Sequence, residues 1–514
     1  MRTTIGLSNH IVVVGAGLAG LSAALHLAGR GRKVTVLERD SVPGGRTGRV
    51  DVDGYRLDTG PTVLTMPHLV EETFAAVGEQ MDDRLSLVPV DPAYRAHFAD
   101  GRQLEVHSDA ERMAAAITEF TGAGQADGYR RLRAWLTQLY RTEFDSFIGA
   151  NFDSPLSALR PSLARLAAMG GFRRWDRAVA QHIDDPELRR LFTFQSLYAG
   201  VAPRRAIAAY AVIAYMDTIA GVWFPRGGMR ALPDALAAAA HDAGVEIRYD
   251  TAVASLDRTG SRIRTVVTDT GERIPCDAVV LTTELSDTYR LTGHSPRRPL
   301  RPTAAPSAVV LHVGCEAMPR AGHHHLLFGR AWDEAFDDII ARGSVMTDPS
   351  LLVTRPTAGD PSLAPPGRDL LYILAPVPNL VRGPINWDRF GPAYAEEILT
   401  TVRDRLPIPL TDPRLLHITT PADWARRGML AGSPFALAHT VTQTGPFRPA
   451  NMIRGLENVV LAGGSTVPGV GIPPVLISGR LAADRVTGPM PSAQPAPARR
   501  RASALSTSTA AIIR

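Results

Sequence analysis

Three glycines near the start of the chain have a spacing that lets a backbone loop close around an anion. Gly15, Gly17 and Gly20 form the pattern G-x-G-x-x-G between an apolar run and a helical pattern. Gly15 permits a tight turn, Gly17 lets the backbone approach a pyrophosphate, and Gly20 lets the helix pack on the sheet. Glu38 ends the next apolar run, where a carboxylate accepts hydrogen bonds from ribose hydroxyls. The motif predicts a bound dinucleotide and does not choose between NAD and FAD.

A second glycine turn follows the acidic residue. Gly44 and Gly45 precede Arg46 and Thr47 in the stretch RDSVPGGRTGR. This turn supplies free backbone N–H groups and a guanidinium for the same pyrophosphate, and a nicotinamide site has no need of it here. The element resembles the Gly-Gly-Arg-Ser/Thr turn of the flavin-binding superfamily that includes amine oxidases, protoporphyrinogen oxidase and carotenoid desaturases. It therefore favours FAD as the cofactor.

When most of the chain is considered, the resemblance is to one family within this superfamily. From Ile11 to Val486, and in the same order, the sequence resembles the bacterial CrtI-type phytoene desaturases, a carotenoid desaturase family. That spread is more specific than any single motif. The stretches that carry it are GYRLDTGPTVLTMP (54–67), FPRGGMRALPDAL (224–236), HHHLLFGRAWDEAFDDI (323–339), DPSLAPPGRDLLYILAPVPN (360–379) and GGSTVPGVGIPPVLISGRLAA (463–483).

This resemblance assigns further residues to the flavin site. It implies that Val253 contacts the adenine end through its backbone. Many members carry His-Pro-Gly where this chain has Val-Pro-Gly at Val467, so no role of that histidine is carried over. The residues implied to lie near the flavin ring are Asp58, Gly60, Pro61 and Thr62, and those implied to close over the pyrophosphate and isoalloxazine are Gly464, Pro468, Gly469 and Ile472.

A β-α-β unit and later strands must bring these residues together. The apolar pattern predicts a strand at Ile11 to Val14, a helix from about Leu18 to Arg30 and a strand at Lys33 to Leu37. We predict an α/β fold, with a Rossmann-like FAD-binding domain of the glutathione-reductase and amine-oxidase type and a discontinuous mixed α+β substrate domain. The predicted divisions are a first FAD-binding segment at 1–90, a helical substrate and membrane-contact insertion at 91–223, a second FAD-binding segment at 224–288, substrate-domain strands at 289–430, a third FAD-binding segment at 431–487 and a disordered tail at 488–514.

Composition argues against several other kinds of site. The 514 residues include 56 basic and 51 acidic ones, a net charge of only +5, so no nucleic-acid partner is predicted. Cys276 and Cys315 form no dithiol motif, which leaves redox chemistry to a cofactor. His323, His324 and His325 are consecutive, and their side chains cannot all face one ion from a regular element. No metal site is predicted.

The resemblance also implies a reaction. A carotenoid desaturase of this kind is an FAD-dependent oxidoreductase acting on CH–CH groups. It introduces double bonds into phytoene, towards neurosporene or lycopene, by hydride transfer to the flavin, which a quinone or oxygen then reoxidises. The partner is a lipophilic C40 polyene, and the protein must supply a dry apolar channel. The residues of the helical insertion that could line this channel, or simply fill the core, are Phe192, Phe194, Leu197, Tyr198, Tyr210, Tyr215, Trp223 and Phe224.

No catalytic residue is assigned from the sequence. Asp217 interrupts the apolar run at 206–224, and a buried acid there would have a raised pKa suited to accepting a proton. A helix-end or solvent-facing position is the favoured interpretation. The interrupted run itself predicts a buried wall of the substrate domain rather than a membrane span.

A bilayer-dissolved substrate requires access to the membrane. The stretch SPLSALRPSLARLAAMGGFRRW (154–175) sets leucines beside arginines at near-helical spacing. This is typical of an interfacial segment and equally of a core-facing helix with solvated arginines. The first strand leaves no room for a signal peptide, so we expect a cytoplasmic protein bound peripherally to the inner face of the cell membrane.

Other functions fit the same flavin fold. One is an amine or porphyrinogen oxidase, which would differ in the lining of the insertion. Another is a desaturase or saturase of a modified or shorter carotenoid. A third is a non-catalytic prenyl-binding escort protein, which can lose flavin contacts, whereas this chain keeps the set from Gly15 to Ile472.

Overall fold

The computed structural model describes residues 1–293 and 302–490, and this part of the chain forms five β-sheets. The strands are β1 (His10–Val14), β2 (Lys33–Leu37), β3 (Arg49–Val52), β4 (Tyr55–Asp58), β5 (Leu87–Val90), β6 (Tyr94–His97), β7 (Gln103–Val106), β8 (Val222–Pro225), β9 (Glu246–Arg248), β10 (Val253–Thr259), β11 (Arg262–Thr268), β12 (Arg273–Pro275), β13 (Ala278–Leu281), β14 (Ser307–Glu316), β15 (His324–Leu327), β16 (Leu351–Thr354), β17 (Arg368–Val377), β18 (Arg414–Thr419) and β19 (Val459–Leu461).

The helices lie between these strands and in one long helical stretch before β8. They are α1 (Leu18–Ala28), α2 (Pro67–Ala75), α3 (Ala110–Thr121), α4 (Ala123–Glu143), α5 (Pro161–Ala168), α6 (Trp175–Ala180), α7 (Pro186–Leu191), α8 (Ser196–Ala199), α9 (Val212–Tyr215), α10 (Ala231–Asp242), α11 (Leu285–Thr292), α12 (Trp332–Phe336), α13 (Trp387–Arg405), α14 (Pro421–Arg426) and α15 (Ile472–Thr487).

A five-stranded parallel sheet has the order β19-β13-β1-β2-β9. In the central strand, Val12 lies opposite Val279 on one side and Thr35 on the other. A parallel sheet is covered on both faces, which explains why β1 is a continuous apolar run. Helices α1, α10 and α15 pack on one face, and the antiparallel sheet β10-β11-β12 covers the other.

Helix α15 packs closely along α1, although most of the chain separates them in sequence. The Ser22 hydroxyl donates to the carbonyl of Leu476 at 2.8 Å. A Cβ on Gly479 would lie 2.5 Å from the carbonyl oxygen of Ala19. A glycine at this crossing therefore lets the two helix backbones touch.

The second large sheet has seven strands in the order β18-β14-β17-β16-β15-β6-β7. One face packs on α13 through Trp387, Tyr394 and Ile398. The opposite face meets the helical layer between α3 and α9, with Leu326 and Leu352 of the sheet in the shared core. The junction of sheet and helical layer is a continuous core of buried apolar side chains.

The structure confirms the predicted fold class and most predicted elements. The β-α-β unit begins at His10, and its helix ends at Ala28 rather than Arg30. Strands β6 and β7 lie inside the segment predicted as helical, where they join the seven-stranded sheet. The six domain divisions stay predictions, and 491–514 of the predicted tail lies outside the described residues. Within the described ranges, no helix is long and apolar enough to span a bilayer.

Candidate cofactor and substrate site

The first glycine turn joins β1 to α1 and leaves one face open. Gly15 has a φ of +103°, and its N–H donates to the carbonyl of Leu37 at 2.8 Å. A Cβ on Gly20 would lie 1.9 Å from the carbonyl oxygen of Gly15, so only glycine lets α1 start this close to the turn. At Gly17 a Cβ would meet no atom of the described chain within 4 Å. The helix N-terminus therefore faces free space at Gly17, as an anion site requires.

The second glycine turn lies against the first. The Gly44 N–H donates to the carbonyl of Ala16 at 2.9 Å, and Gly17 and Gly44 form an isolated parallel bridge. The Cα of Gly17 would lie 3.4 Å from a Cβ on Gly45. The buried Thr47 closes the turn, since its N–H donates to the carbonyl of Gly44 at 2.9 Å. Two sets of backbone amides thus border the same space.

Glu38 lies at the end of β2, buried beside both turns. Its carboxylate accepts the N–H of Ala16 at 2.6 Å and that of Asp40 at 3.0 Å. Burial raises the pKa of Glu38 above its ordinary value, against the lowering effect of these two donors. The carbonyl of Glu38 accepts the N–H of Thr251 at 2.8 Å, which brings the start of β10 to the same edge. Val253, two residues further on, packs against the core beneath this edge.

Arg46 connects all three chain segments that build the parallel sheet. Its guanidinium pairs with Glu284, which follows β13. The other carboxylate oxygen of Glu284 accepts the hydroxyl of Ser465 at 3.2 Å. A Cβ on Gly464 would lie 3.3 Å from Nη1 of Arg46. The guanidinium therefore lies at the carboxyl ends of the strands, where ligands of open parallel sheets bind.

Asp58 ends β4 and holds the turn before α10. Its carboxylate accepts the N–H of Met229 at 2.7 Å and that of Arg230 at 3.1 Å. Burial raises the pKa of Asp58 to about 6 despite these donors. His312 of β14 is hydrogen-bonded to the Asp58 carbonyl at 2.8 Å. Asp58 thus ties the first segment to the second and to the seven-stranded sheet.

The segment after Asp58 contacts two interior strands of the seven-stranded sheet, β17 and β16. The hydroxyl of Tyr372 donates to the carbonyl of Gly60 at 2.9 Å, and Pro61 is half-buried. The hydroxyl of Thr354 donates to that of Thr62 at 3.1 Å. Gly60 and Thr62 are therefore held at the boundary between the two large sheets.

The turn between β19 and α15 completes the junction. Buried Arg448 donates to the carbonyls of Gly464 at 2.5 Å and Thr466 at 2.8 Å. Burial lowers the pKa of Arg448 to about 10. A Cβ on Gly469 would lie 2.6 Å from Nε2 of His439. The predicted residues of this turn that remain are Pro468, half-buried, and Ile472, buried as the first residue of α15.

An apolar cavity lies between the helical layer and the seven-stranded sheet. It is narrow, with a volume of about 30 Å³. Of the eight predicted channel residues, Phe194, Leu197 and Tyr198 line it, and the other five do not. The sheet contributes Leu326, Leu327, Leu351, Leu352 and Leu374.

Asp217 and the three consecutive histidines are buried. Asp217 lies in the π-helical turn Met216–Ala220 that ends α9, and it is 5% exposed, so the solvent-facing interpretation is wrong. His324 and His325 lie in β15, with His323 just before it. Successive side chains of a strand alternate between its faces, and the described residues contain no group of three or more metal ligands.

Several residues of this junction were not predicted from sequence. Glu284, Arg448 and Tyr372 are single polar residues whose partners lie far away along the chain. Glu284 could have been found from its position in the sequence, because it follows a buried parallel strand, and ligands bind at the carboxyl ends of such strands.

Comparisons with known proteins show the family to which the chain belongs. The family model described as flavin containing amine oxidoreductase matches residues 18–487. The chain is 58% identical to a phytoene dehydrogenase of Streptomyces griseus, over 95% of this chain and 97% of that protein. It is 37% identical to a zeta-carotene-forming phytoene desaturase of Myxococcus xanthus, over 93% of each. A solved putrescine oxidase bound to putrescine has a TM-score of 0.60 at 17% identity, over 93% of this chain and 99% of that one, which shows the fold.

Proposed function

We propose that this chain, which belongs to the flavin-containing amine oxidoreductase family and within it to the phytoene desaturases, introduces double bonds into phytoene in carotenoid biosynthesis. The observation that carries the proposal is the 58% identity to a phytoene dehydrogenase over 95% of the chain. The apolar cavity between the helical layer and the seven-stranded sheet supports it, because a hydrocarbon substrate needs an apolar site.

FAD is the cofactor of this enzyme, and the residues at the carboxyl ends of the parallel strands fit it. We propose that the pyrophosphate lies in the open space at Gly17, bordered by Gly45, against backbone amides and the start of α1. We propose that Arg46 adds a positive charge to this site and that Glu38 and Val253 hold the adenosine end. When bound, FAD supplies the hydride acceptor of the reaction.

The remaining predicted residues are proposed to surround the flavin ring. Gly60 and Thr62 lie at the boundary of the two large sheets, and Gly464 and Gly469 lie in the turn opposite. Asp58 uses its carboxylate on backbone amides, so its role in this proposal is to hold the loop rather than to touch the ring.

The reaction is tested with purified protein, FAD and phytoene in liposomes. Chromatography of the coloured products should show conversion, and the product reports how many double bonds are introduced. Absence of conversion together with oxidation of an amine or a porphyrinogen would overturn the proposal. Repeating the reaction without oxygen, with and without an added quinone, identifies which of the two proposed acceptors reoxidises the flavin.

We also propose that the protein binds the membrane surface through a patch in and beside the stretch 154–175. Leu156 and Leu159 are 73% and 70% exposed. The turn that contains Leu156 contacts the turn Gly445–Phe447, in which Phe447 is 52% exposed. Large apolar side chains grouped in this way are typical of a protein or membrane contact, and Arg160 directly follows Leu159 in the chain. Leu166 of α5 is buried, so only part of the stretch faces outwards.

Liposome flotation tests the membrane patch. Replacing Leu156, Leu159 and Phe447 together with serine should reduce binding to anionic vesicles. Val381→Ser is the matched control, because Val381 is 82% exposed on a different loop. Equal loss of binding in both variants, or none in either, would contradict the proposed patch.

A further inference from the structure

The buried carboxyl groups of the described residues differ in whether a cation or backbone amides stabilise their charge. Asp369 pairs with Arg355, Asp484 pairs with Arg30, and Asp58 accepts backbone amides. Within residues 1–293 and 302–490, Asp217 and Glu143 have no cationic partner of this kind. A buried carboxyl without compensation is costly, which makes both groups candidates for a function.

Asp217 is surrounded by buried polar atoms, several of which have no hydrogen-bond partner among the described residues. Its neighbours are the hydroxyl of Tyr94 in β6 and the side chain of Gln195, just before α8. Atom Oδ2 of Asp217 and the Tyr94 hydroxyl have no hydrogen-bond partner in the described part of the chain. Burial together with the nearby Asp217 raises the pKa values of Tyr94 and Tyr198 well above their ordinary range. The carboxylate therefore keeps lone pairs free to accept a proton.

Two routes of contact link Asp217 to the segment proposed to lie beside the flavin ring. On one, the ring of Tyr94 packs 5.5 Å from that of His324. His324 is hydrogen-bonded through Nδ1 to the Thr354 hydroxyl at 2.9 Å, and Thr354 donates to Thr62.

The other route runs along the apolar cavity. Tyr198 lines the cavity and neighbours both Asp217 and Tyr372, whose hydroxyl donates to the Gly60 carbonyl. Glu143, in contrast, neighbours Tyr210, which does not line the cavity. Asp217 is thus the uncompensated carboxyl whose neighbours Tyr198 and Tyr94 reach, respectively, the wall of the apolar cavity and the contacts that hold Thr62.

We propose that Asp217 is the base that accepts the proton released when a double bond forms, an inference that rests on the proposed function. One substrate C–H bond breaks with its electron pair, and FAD accepts that hydride. The neighbouring C–H bond gives its proton to the Asp217 carboxylate, and its electron pair becomes the new π bond. The substrate loses two electrons and the flavin gains them.

The environment of Asp217 suits this role. Burial raises the pKa of Asp217 to about 7, although Tyr94 and Gln195 act to lower it. A base with a pKa near the working pH is ionised in a large fraction of molecules and still binds a proton well. Tyr94 and Tyr198 are the titratable groups that face it from β6 and α8.

Anaerobic bleaching of the flavin by liposomal phytoene tests the assignment. Loss of a general base typically slows a reaction by about 10² to 10⁴-fold, so Asp217→Asn should bleach at least about 100-fold more slowly than the wild type. The wild-type rate should rise with pH through about 7, whereas the variant should show no such rise. Glu143→Gln, which changes the other uncompensated carboxyl, is the matched control and should bleach at the wild-type rate.

A second measurement needs neither FAD nor turnover. In the infrared spectrum of the FAD-free chain, a carboxylic-acid carbonyl band should disappear as the pH rises through about 7. That band should be absent in Asp217→Asn and present in Glu143→Gln. Asp217→Glu keeps a carboxyl and should recover part of the bleaching rate. This variant therefore tests the assignment even if Asp217→Asn folds poorly.

The outcomes separate the two proposals. If phytoene does not bleach the wild-type flavin at all, the proposed function fails. If it does, and Asp217→Asn bleaches equally fast or the infrared band survives in that variant, the proton-acceptor assignment is overturned alone.

Discussion

Gly17→Ala should separate cofactor binding from folding. In the described structure an added Cβ at Gly17 meets no protein atom within 4 Å. The residue has φ −70° and ψ 172°, which alanine adopts without strain. The FAD-free protein should therefore keep its melting temperature or gain slightly, by about 0.4–1 kcal/mol of stability.

The same methyl group should weaken FAD binding. It occupies the space that we assign to the pyrophosphate, and forcing an extra methyl into a packed contact costs about 1–3 kcal/mol. At about 1.4 kcal/mol for each tenfold change, the dissociation constant should rise about 5- to 150-fold. Titration by quenching of flavin fluorescence measures this change, and thermal melts with and without FAD measure stability.

Two further variants serve as controls for folding and for the added methyl group. Gly20→Ala places its Cβ 1.9 Å from a backbone oxygen and should lower the melting temperature even without FAD. Gly124→Ala adds a methyl group in open space on α4, so FAD affinity should stay at the wild-type value and stability should stay the same or rise slightly, as in Gly17→Ala. Wild-type FAD affinity in Gly17→Ala would refute the placement of the pyrophosphate.

Three further predictions concern the residues that hold the site. Burial raises the pKa of Asp58 from 3.8 to about 6, so the folded state retains a proton that the unfolded chain releases. The contribution of Asp58 to the free energy of unfolding should therefore fall by about 3 kcal/mol as the pH rises from about 4 to 6. The difference in unfolding free energy between Asp58→Asn and the wild type should change over that pH range and stay constant above it. Arg448→Met leaves the carbonyls of Gly464 and Thr466 without their donor and should cost at least about 2 kcal/mol in thermal unfolding, with faster loss of FAD on dialysis. Asp369→Asn leaves Arg355 buried and unpaired and should cost about 3–5 kcal/mol, whereas the double variant with Arg355→Met should lose less; equal losses would contradict this account.

The first part of the fold could be predicted because its signals are local. β1, α1 and β2 follow one another, and their glycines, apolar runs and boundaries lie within 10–37. The parallel pairing of β6 with β15 joins residues more than two hundred positions apart, and no periodicity reports such a pairing. The insertion at 91–223 was therefore predicted as helical, without β6 and β7.

Site residues could be predicted where the residue type and its motif imply the chemistry. They could not be predicted where tertiary packing gives an ordinary residue its role. Gly17 and Gly44 were named from motifs, and the structure places them side by side. Asp217 has an ordinary position at the end of a short helix, and only the packing of β6 and α8 around it removes water. Arg448 gains its role from carbonyls on a distant turn, which composition does not reveal.

The order of the chain segments constrains when the cofactor domain can mature. Strand β19 forms the edge of the parallel sheet beside β13, and α15 covers α1. During synthesis on the ribosome, β1, β2, β9 and β13 emerge before residues 459–487, so one edge of β13 stays unpaired and α1 lacks the cover of α15 until that segment has emerged. The substrate-domain strands have all emerged by then. We therefore expect FAD to bind stably only after this segment has emerged, and a nascent chain halted before β19 should hold no flavin.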